Sequence, residues 1–395
     1  MKPVQALPLE QAVGHQLMLA FTGLTPSAGI LATLRHHPSG GITLFRSLNV
    51  ADPAQVRALT GALQAAATAT GQPLLLIGAD QEGGTLMALA GTTEFPGNMA
   101  LGATGSTDLA QQTGRAIGRE LAAMGVNVNY APVGDVNSNV HNPVVGTRSF
   151  GGDPVAVARL TAALICGLQA AGVAATVKHF PGHGDTSTDS HLGTPVVAHD
   201  MARLRAVELP PFAAAVQAGV RLVMTAHIAV PAVTGDHNPA TLSPAILRGL
   251  LRADLGFDGV IVSDAMNMGA ITQGRGLLVD TLASIAAGVD LLLLTDDPAG
   301  HAEVYSGLLQ ATQRGLLDPE RVQAAAARVL ALKAWIAEQP QPGLEVVACA
   351  DHQALAATVA AQAVTLVRDT AGHLPLRLAA GARIAAVVPQ PADLT

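Results

Sequence analysis

Short apolar runs of strand length recur along the chain, each followed by a polar or glycine-rich turn and then by a longer alanine-rich segment. Near-continuous apolar strands are typical of a parallel sheet that is buried on both faces. The alanine-rich segments are predicted to be helices, for example residues 107–125, with Thr107 as the cap at the start and Gly125 at the end. The pattern therefore predicts repeated β/α units. The eight runs are residues 17–21, 41–45, 74–79, 126–131, 174–178, 222–227, 259–264 and 289–294.

Eight β/α units fit either a closed (β/α)8 barrel or an open, doubly wound sheet. The ionisable residues favour the barrel, because they lie at the ends of several different runs. An open sheet gathers its functional groups mainly at one switch point, whereas a barrel collects them from many strand ends on one face. We therefore predict an α/β protein with a (β/α)8 barrel. The residues at the run ends are Asp80, Lys178, His179, His227 and Asp264.

The pattern of β/α units stops near residue 338. Pro340 and Pro342 break the preceding helix and indicate a linker. A helical segment follows, with two strand-like stretches at residues 363–367 and 382–388. Because two strands and a helix cannot bury a core of their own, this part is predicted to be the opening of a second α/β domain whose remainder is absent. The predicted division is a (β/α)8 barrel over 1–338, a linker over 339–352 and a partial second α/β domain over 353–395.

Composition excludes several classes of protein. Hydrophobic residues make up 49% of the 395 residues and charged residues 13%, which indicates a folded globular chain rather than a disordered one. A net charge of −7 without a basic cluster argues against nucleic-acid binding. The 2 cysteines are too few for a disulfide framework, and no stretch has the pattern of a signal peptide or a membrane span. We expect a cytoplasmic protein with no membrane partner.

Residues 178–191, KHFPGHGDTSTDSH, concentrate titratable groups of both signs in a glycine-rich stretch. A polar surface loop, a metal site and an acid–base pair are the three interpretations. His179 and His183 have a spacing that brings two imidazoles together only on a helix, which the proline and glycine between them prevent. Asp189 and His191 can share one face of an extended segment, where the carboxylate fixes the ring tautomer and stabilises its protonated form. The acid–base pair is favoured, and no metal is expected.

Several motifs occur in order along the chain and resemble one family: GGITLF, DQEGG, NYAPVGDVN, NPVVGTRSFGGDP, KHFPGHGDTSTDSH and GVIVSDAMNMGAI. From about residue 14 to 388 the chain resembles glycoside hydrolase family 3, and within it the β-N-acetylhexosaminidase branch. The resemblance implies a (β/α)8 first domain, which some members follow with an αβα second domain. It also implies an enzyme that hydrolyses glycosides.

The resemblance implies catalytic roles for three residues. Asp264 matches the family's nucleophile. His191, in the Asp-Ser-His triplet, matches the acid/base of the hexosaminidase branch, and Asp189 matches the carboxylate that supports it. A carboxylate nucleophile and an acid on the opposite side of the bond are what a retaining glycosidase needs. A histidine acid/base is suitable because its pKa lies near neutral pH. Neither a cofactor nor a metal is required.

The positions implied to hold the sugar are Asp80, Arg148, Lys178 and His179. After DQEGG the family commonly has two arginines where this chain has Thr85 and Ala88, so a substrate contact is missing or comes from elsewhere. Aromatic residues are only 3% of the chain, too few for the stacking platforms of a long polysaccharide groove. A small pocket that removes one terminal GlcNAc from peptidoglycan fragments or chitooligosaccharides is expected.

Two alternatives stay open. A histidine acid/base does not repel phosphate as a carboxylate does, so the same site can be that of a β-N-acetylglucosaminide phosphorylase. The barrel can also be a sugar-binding protein without catalysis, although the presence of Asp264, Asp189 and His191 argues against this.

Overall fold

The structure, a computed structural model, describes residues 7–188, 193–271, 276–383 and 385. Eight parallel strands form one sheet, in the order β10-β1-β2-β3-β6-β7-β8-β9. A bridge between Val262 and Leu291 joins the two ends of this order and closes the barrel. β4 and β5 form a separate antiparallel hairpin. The strands are β1 Leu17–Leu19, β2 Gly41–Thr43, β3 Leu76–Ala79, β4 Gln81–Gly83, β5 Leu86–Met87, β6 Val128–Asn129, β7 Ala174–Phe180, β8 Leu222–Thr225, β9 Val260–Val262 and β10 Leu292–Leu293.

Helices follow the strands and surround the barrel. Each predicted apolar run overlaps one barrel strand, so the predicted (β/α)8 fold is confirmed. Within the described residues, none of the helices is both long and apolar enough to cross a membrane. The α-helices are α1 Leu9–Gly14, α2 Ala28–His36, α3 Arg46–Asn49, α4 Pro53–Thr68, α5 Asn98–Thr104, α6 Thr107–Ala123, α7 Pro154–Ala170, α8 Met201–Ala206, α9 Pro210–Gln217, α10 Pro231–Thr234, α11 Leu277–Ala287, α12 Pro298–Gln313, α13 Pro319–Ala337 and α14 Ala350–Ala363. Three 3-10 turns, Gly146–Arg148, Ala240–Leu242 and Leu344–Val346, and a π-helix, Ala245–Asp254, complete them.

The helix predicted over 107–125 is α6, but its cap differs from the prediction. Ser106, one residue earlier than the predicted Thr107, accepts a hydrogen bond from the backbone N–H of Leu109. Both residues are good N-caps, and the local sequence does not distinguish them. Gly125 adopts a positive φ of 77° just after the helix, a conformation that favours glycine.

Two apolar layers hold the barrel together. The larger lies between the strands and the surrounding helices. The smaller one contains inward-facing strand residues such as Met18, Leu76 and Leu222, packed with Leu332 and Ile336 of α13. α13 therefore packs into the amino end of the barrel, and the carboxyl end is left for the polar residues.

The C-terminal part of the described chain differs from the prediction in one respect. Residues 363–367 were expected to form a strand, but residue 363 ends α14 and residues 364–383 contain no strand. The apolar side chain of Val367 there is 91% exposed. β-branched residues favour strands only where a partner strand is available, and none pairs here. Most of the second stretch, 382–388, lies outside the described residues, and the predicted domain boundaries stay predictions.

α14 is fixed to the barrel through a buried carboxylate of α6. Glu120 Oε1 lies 2.7 Å from Nδ1 of His352, accepts from the Thr93 hydroxyl at 2.6 Å, and accepts from the Ala348 N–H at 3.2 Å. Glu120 and His352 are both buried. Removing a hydrogen-bond partner from a buried carboxylate destabilises the folded state, because the desolvation of that group is no longer compensated.

His352→Ala is therefore expected to lower the free energy of unfolding by about 1–3 kcal/mol. Urea denaturation of the full chain measures the loss. His373→Ala is the control, because the His373 side chain is exposed and should tolerate removal. Equal stability of wild type and His352→Ala would show that α14 is held by its apolar contacts alone.

Candidate active site

The sequence-predicted site residues of the described chain gather at the carboxyl end of the barrel. Asp80 follows β3, and Lys178 and His179 lie near the carboxyl end of β7. His227 follows β8, and Asp264 follows β9. In a parallel barrel all these strand ends share one face, which is where loops and strand ends build the active site.

Lys178 lies at the centre of a buried charge cluster. Its side chain is 2% exposed, and its Nζ lies 2.5 Å from Asp80 Oδ1 and 2.7 Å from Glu82 Oε1. Burial opposes the charge on the ammonium group, but Asp80 and Glu82 outweigh it and raise the pKa of Lys178 above its usual value. Lys178 is therefore a fixed cation whose donors point toward two carboxylates.

Glu82 is a member of this cluster that the sequence interpretation missed. Its two carboxylate oxygens accept from Arg148 Nη2 at 2.8 Å and from Nε at 2.9 Å, a bidentate ion pair. Burial opposes ionisation of Glu82, yet Arg148 and Lys178 lower its pKa to about 2. Arg148, predicted to hold the sugar, is thus placed in the cluster, with its guanidinium engaged by Glu82.

The β4–β5 hairpin explains how Glu82 reaches this position. The hairpin is joined to β6 by a reciprocal pair of hydrogen bonds, from the Gln81 N–H to Asn129 Oδ1 and from Asn129 Nδ2 to the Gln81 carbonyl, both 3.0 Å. Gly83 and Gly84 have φ values of 83° and 63° at the turn, which side chains rarely adopt. The DQEGG motif therefore places Asp80 and Glu82 in one cluster.

Lys178 and His179 are neighbours in β7, and both reach carboxylates of the site. Successive residues of a regular strand point to opposite faces. Here the β7–β8 ladder shifts register between Val177 and Phe180. Irregularities of this kind are common beside active sites, where they redirect side chains.

Asp135 is the second carboxylate that the sequence interpretation missed. It is fully buried, and its Oδ2 lies 2.7 Å from Nδ1 of His179. The backbone N–H groups of His179 and His183 donate to its Oδ1, at 3.2 and 2.6 Å. Burial opposes its ionisation, but His179 and the other donors outweigh burial and hold the pKa of Asp135 below its usual value. Nδ1 is engaged by Asp135, and no described residue is bonded to Nε2, which can therefore serve a ligand.

The two histidines of the metal interpretation do not form a metal-binding group with other described residues. The ring centroids of His179 and His183 are 5.9 Å apart and the rings are nearly perpendicular. His183 Nδ1 lies 2.6 Å from the hydroxyl of Thr186 in its own loop. Among the described residues, no three or more His, Cys, Asp or Glu side chains are grouped so as to hold a metal ion.

Asp264 lies just beyond Ser263, which follows the last residue of β9, and is half-buried at the carboxyl end of the barrel. Its Oδ1 accepts from the Ala265 N–H at 2.8 Å. Burial favours the protonated acid, but the influence of His179 and His227, with the Ala265 hydrogen bond, outweighs burial and lowers the pKa of Asp264. The carboxylate is therefore an anion at neutral pH, the form that a nucleophile needs.

His227 is a buried neighbour of Asp264 whose two ring nitrogens already have partners. Nδ1 lies 2.8 Å from the Thr241 hydroxyl, and Nε2 lies 3.1 Å from the Ala265 carbonyl. Burial lowers the pKa of His227. A ring engaged on both sides orients the segment around Asp264 and has no nitrogen left for substrate.

The predicted acid–base pair, Asp189 and His191, lies outside the described residues. Its loop is anchored on both sides. Asn142 Nδ2 donates to the His183 carbonyl at 2.8 Å before it, and the Thr194 hydroxyl donates to the Ala270 carbonyl at 2.7 Å after it. Ala270 belongs to the segment that follows Asp264.

Two cavities of about 380 and 390 Å³ lie at the opposite, amino end of the barrel. The first is lined by residues such as Gln64, Asn127 and Ile336, and the second by residues such as Asp258 and Arg328. Neither contains the charge cluster. Functional sites of parallel barrels lie at the carboxyl ends of the strands, so the charge cluster, and neither of these cavities, marks the candidate site.

The charge cluster around Lys178 offers groups that can hydrogen-bond to sugar hydroxyls, and Asp264 is a carboxylate at the end of a nearby barrel strand. This arrangement agrees with the resemblance drawn from the sequence. Residues 9–332 match the model of the glycosyl hydrolase family 3 N-terminal domain. The chain belongs to glycosyl hydrolase family 3. Within that family, its curated relatives include proteins named β-hexosaminidase, so the hexosaminidase branch inferred from the motifs is also supported.

Two curated relatives are similar to this chain over most of its length. β-Hexosaminidase A of Pseudoalteromonas piscicida is 37% identical over 385 residues, which cover 91% of this family 3 chain and 64% of the relative. A β-N-acetylglucosaminidase/β-glucosidase of Cellulomonas fimi is 36% identical over 352 residues, covering 85% of this chain and 60% of the relative. The chain thus spans less than two thirds of the length of these two proteins.

A solved structure shows the same fold. The family 3 β-N-acetylglucosaminidase from Paenibacillus sp. str. FPU-7 is 42% identical and superposes with a TM-score of 0.88. The match covers 92% of this chain and 70% of that protein. The barrel of this chain therefore has the same fold as that family 3 structure.

Proposed function

We propose that this chain carries the catalytic barrel of a retaining β-N-acetylhexosaminidase, which releases terminal GlcNAc from small β-glycosides. The observation that carries the proposal is the position of Asp264 just beyond β9, with Oδ1 held by the Ala265 N–H at 2.8 Å, on the same barrel face as Lys178 and His179. Family membership and the names of the relatives support the choice of sugar.

The reaction proceeds in two displacements. Asp264 attacks the anomeric carbon, the bond to the leaving-group oxygen breaks, and that oxygen takes a proton from the general acid. The product is a glycosyl–Asp264 ester. Water then gives a proton to the same residue, now a base, and attacks the anomeric carbon, which frees the sugar with net retention.

Asp80, Lys178 and His179 supply hydrogen bonds to the sugar hydroxyls in this scheme. Asp80 is the more open partner of Lys178, with 29% of its side chain exposed, so one carboxylate oxygen is accessible to a ligand. His179 presents Nε2 because Asp135 holds Nδ1. Arg148 contributes through the Glu82 ion pair, which keeps the cluster rigid.

His191 is proposed as the general acid and base, with Asp189 as its supporting carboxylate. The support is the Asp-Ser-His triplet at residues 189–191, in the segment that follows β7. An imidazole with an ordinary pKa can donate and then accept a proton near neutral pH without strong tuning.

The natural substrates are proposed to be peptidoglycan fragments or chitooligosaccharides, handled in the cytoplasm. The scarcity of aromatic residues, 3% of the chain, supports a pocket for one terminal sugar rather than a groove for a polymer. No cofactor enters this chemistry.

Water is favoured over phosphate as the second substrate by the charge of the site. In the part of the site that the structure describes, four carboxylates outnumber the two permanently charged cations. An excess of negative charge repels a phosphate anion and has no effect on the approach of water. The carboxylates are Asp80, Glu82, Asp135 and Asp264, and the cations are Arg148 and Lys178.

The test is a panel of aryl β-glycosides of GlcNAc, glucose and xylose, assayed with and without inorganic phosphate. We expect the highest kcat/KM with GlcNAc, and free GlcNAc as product in both conditions. A sugar 1-phosphate as the main product would establish the phosphorylase instead. No turnover of any glycoside, with GlcNAc still bound, would indicate the sugar-binding protein.

A further inference from the structure

Glu82 is a buried carboxylate for which the two displacements have no direct use. Its side chain is 2% exposed, as is that of Lys178, so the ion pair between the two is shielded from solvent. One oxygen, Oε1, is shared between Lys178 Nζ at 2.7 Å and Arg148 Nη2 at 2.8 Å. Oε2 is taken by Arg148 Nε at 2.9 Å. One side chain thus fixes two cations of the site.

The two cations depend on Glu82 to different degrees. Lys178 has a second carboxylate, Asp80. Arg148 has no other ion pair among the described residues; its remaining side-chain contact is Nη1 to the Val144 carbonyl at 3.4 Å. Without the Glu82 charge, a mostly buried guanidinium would lie next to a buried ammonium group, and the two would repel each other.

We propose that Glu82 is a positioning residue with a second role in specificity: it fixes Lys178 and Arg148 for a neutral, hydroxyl-bearing sugar and prevents them from capturing small anions. This inference rests on the proposed function, because it takes the sugar to bind beside Lys178. Guanidinium and ammonium groups that lack a carboxylate are the groups that bind sulfate and phosphate in proteins. Glu82 occupies the place that such an anion would take.

Glu82→Gln tests both roles, since it removes the charge and keeps the shape. We expect KM for an aryl β-GlcNAc to rise about 10- to 100-fold with a smaller fall in kcat, as when a supporting carboxylate behind a binding group is lost. We also expect sulfate, at constant ionic strength set with chloride, to compete with substrate in the variant and not in the wild type. A merely structural role would raise KM without creating sulfate competition.

Asp290→Asn is the matched control. Asp290 is also a buried carboxylate that binds two arginines, Arg252 at 2.5 Å and Arg328 at 3.1 Å, but it precedes β10 at the amino end of the barrel. This variant should lose stability, yet sulfate should not raise its KM. If sulfate competes equally in both variants, the effect is general and the proposal is wrong.

Glu82→Asp covers the case in which Glu82→Gln does not fold. The shorter side chain keeps the charge but cannot span both cations, so KM should rise while sulfate competition stays absent. A wild-type KM in Glu82→Asp would overturn the positioning role. Calorimetric titration with GlcNAc and with sulfate gives the same answers without turnover. An inactive wild type would therefore refute the proposed function, whereas unchanged sugar affinity and no sulfate binding in Glu82→Gln would refute this inference.

Discussion

Asp264→Ala is expected to remove glycoside hydrolysis almost completely, by a factor on the order of 10⁴–10⁶ in kcat, as is typical when an enzyme loses its covalent nucleophile. The reason is positional. Asp264 lies just after β9, its Oδ1 is oriented by the Ala265 N–H, and its pKa is lowered despite burial. In the proposed scheme no other carboxylate forms the ester. GlcNAc binding should persist, because Asp80 and Lys178 remain.

Rates on an activated aryl β-GlcNAc measure this loss, and a 2-fluoro sugar shows where the ester forms. The label should appear on the peptide that contains Asp264. Asp297→Ala is the control, because Asp297 is an exposed carboxylate that also follows a barrel strand, β10. Near-normal turnover in Asp264→Ala, or a label on another residue, would remove Asp264 from the nucleophile position.

The barrel could be predicted from sequence because its signal is repeated. Most strands are short, down to the two residues Val128–Asn129 or Leu292–Leu293, and such short runs are not convincing alone. Eight apolar runs at β/α spacing nevertheless leave few alternatives, and polar residues at the run ends select the closed form. A single cap is different, because Ser106 and Thr107 have the same local chemistry and only the packing of α6 chooses between them.

The site was predicted incompletely for a related reason. Asp80, Lys178, His179 and Asp264 were found because each touches the end of an apolar run. Glu82 and Asp135 were missed because they lie a few residues beyond the run ends, in DQEGG and NYAPVGDVN. A search for ionisable residues that also includes the loop after each run finds both. What sequence cannot give is the pairing: that Asp135 holds His179, and that Glu82 holds two cations at once, depends on the closed ring of strands.

The predicted strand at 363–367 failed because strand formation is not a local property. Val364 and Val367 are β-branched residues with a high propensity for strands. They nevertheless lie exposed beyond the end of α14. Residues 364–383 have no neighbouring strand in the described structure to pair with. By contrast, His352 in α14 forms a buried contact with Glu120, and this contact fixes the helix against the barrel.

His191→Ala is the variant with the second large effect, and its size should depend on the leaving group. In the first displacement the general acid protonates the departing oxygen, so glycosides with poor leaving groups should lose about 10²–10⁴-fold in kcat/KM. Activated aryl glycosides need little protonation and should lose much less in this step. Their turnover should instead be limited by breakdown of the ester, because water has lost its base.

Three measurements follow from this asymmetry. The slope of log kcat/KM against leaving-group pKa should steepen in His191→Ala. Azide, which attacks without a base, should restore turnover of activated substrates and yield a β-glycosyl azide. His237→Ala, which changes an exposed histidine, should alter neither result. Equal slowing of good and poor leaving groups, with no rescue by azide, would make His191 a structural residue.

Asp189→Asn separates the pair from the histidine alone. A carboxylate beside an imidazole stabilises the protonated ring and so raises its pKa, and the neutral amide removes that stabilisation. Protonation of the leaving group needs the charged ring, so activity on poor leaving groups is lost as the pH rises through that pKa. In Asp189→Asn this loss should begin at a lower pH than in the wild type. Because Asp264 has a lowered pKa, it stays ionised over the same range and does not obscure the shift. A profile that is scaled down without moving would mean that Asp189 orients the ring and leaves its proton affinity unchanged.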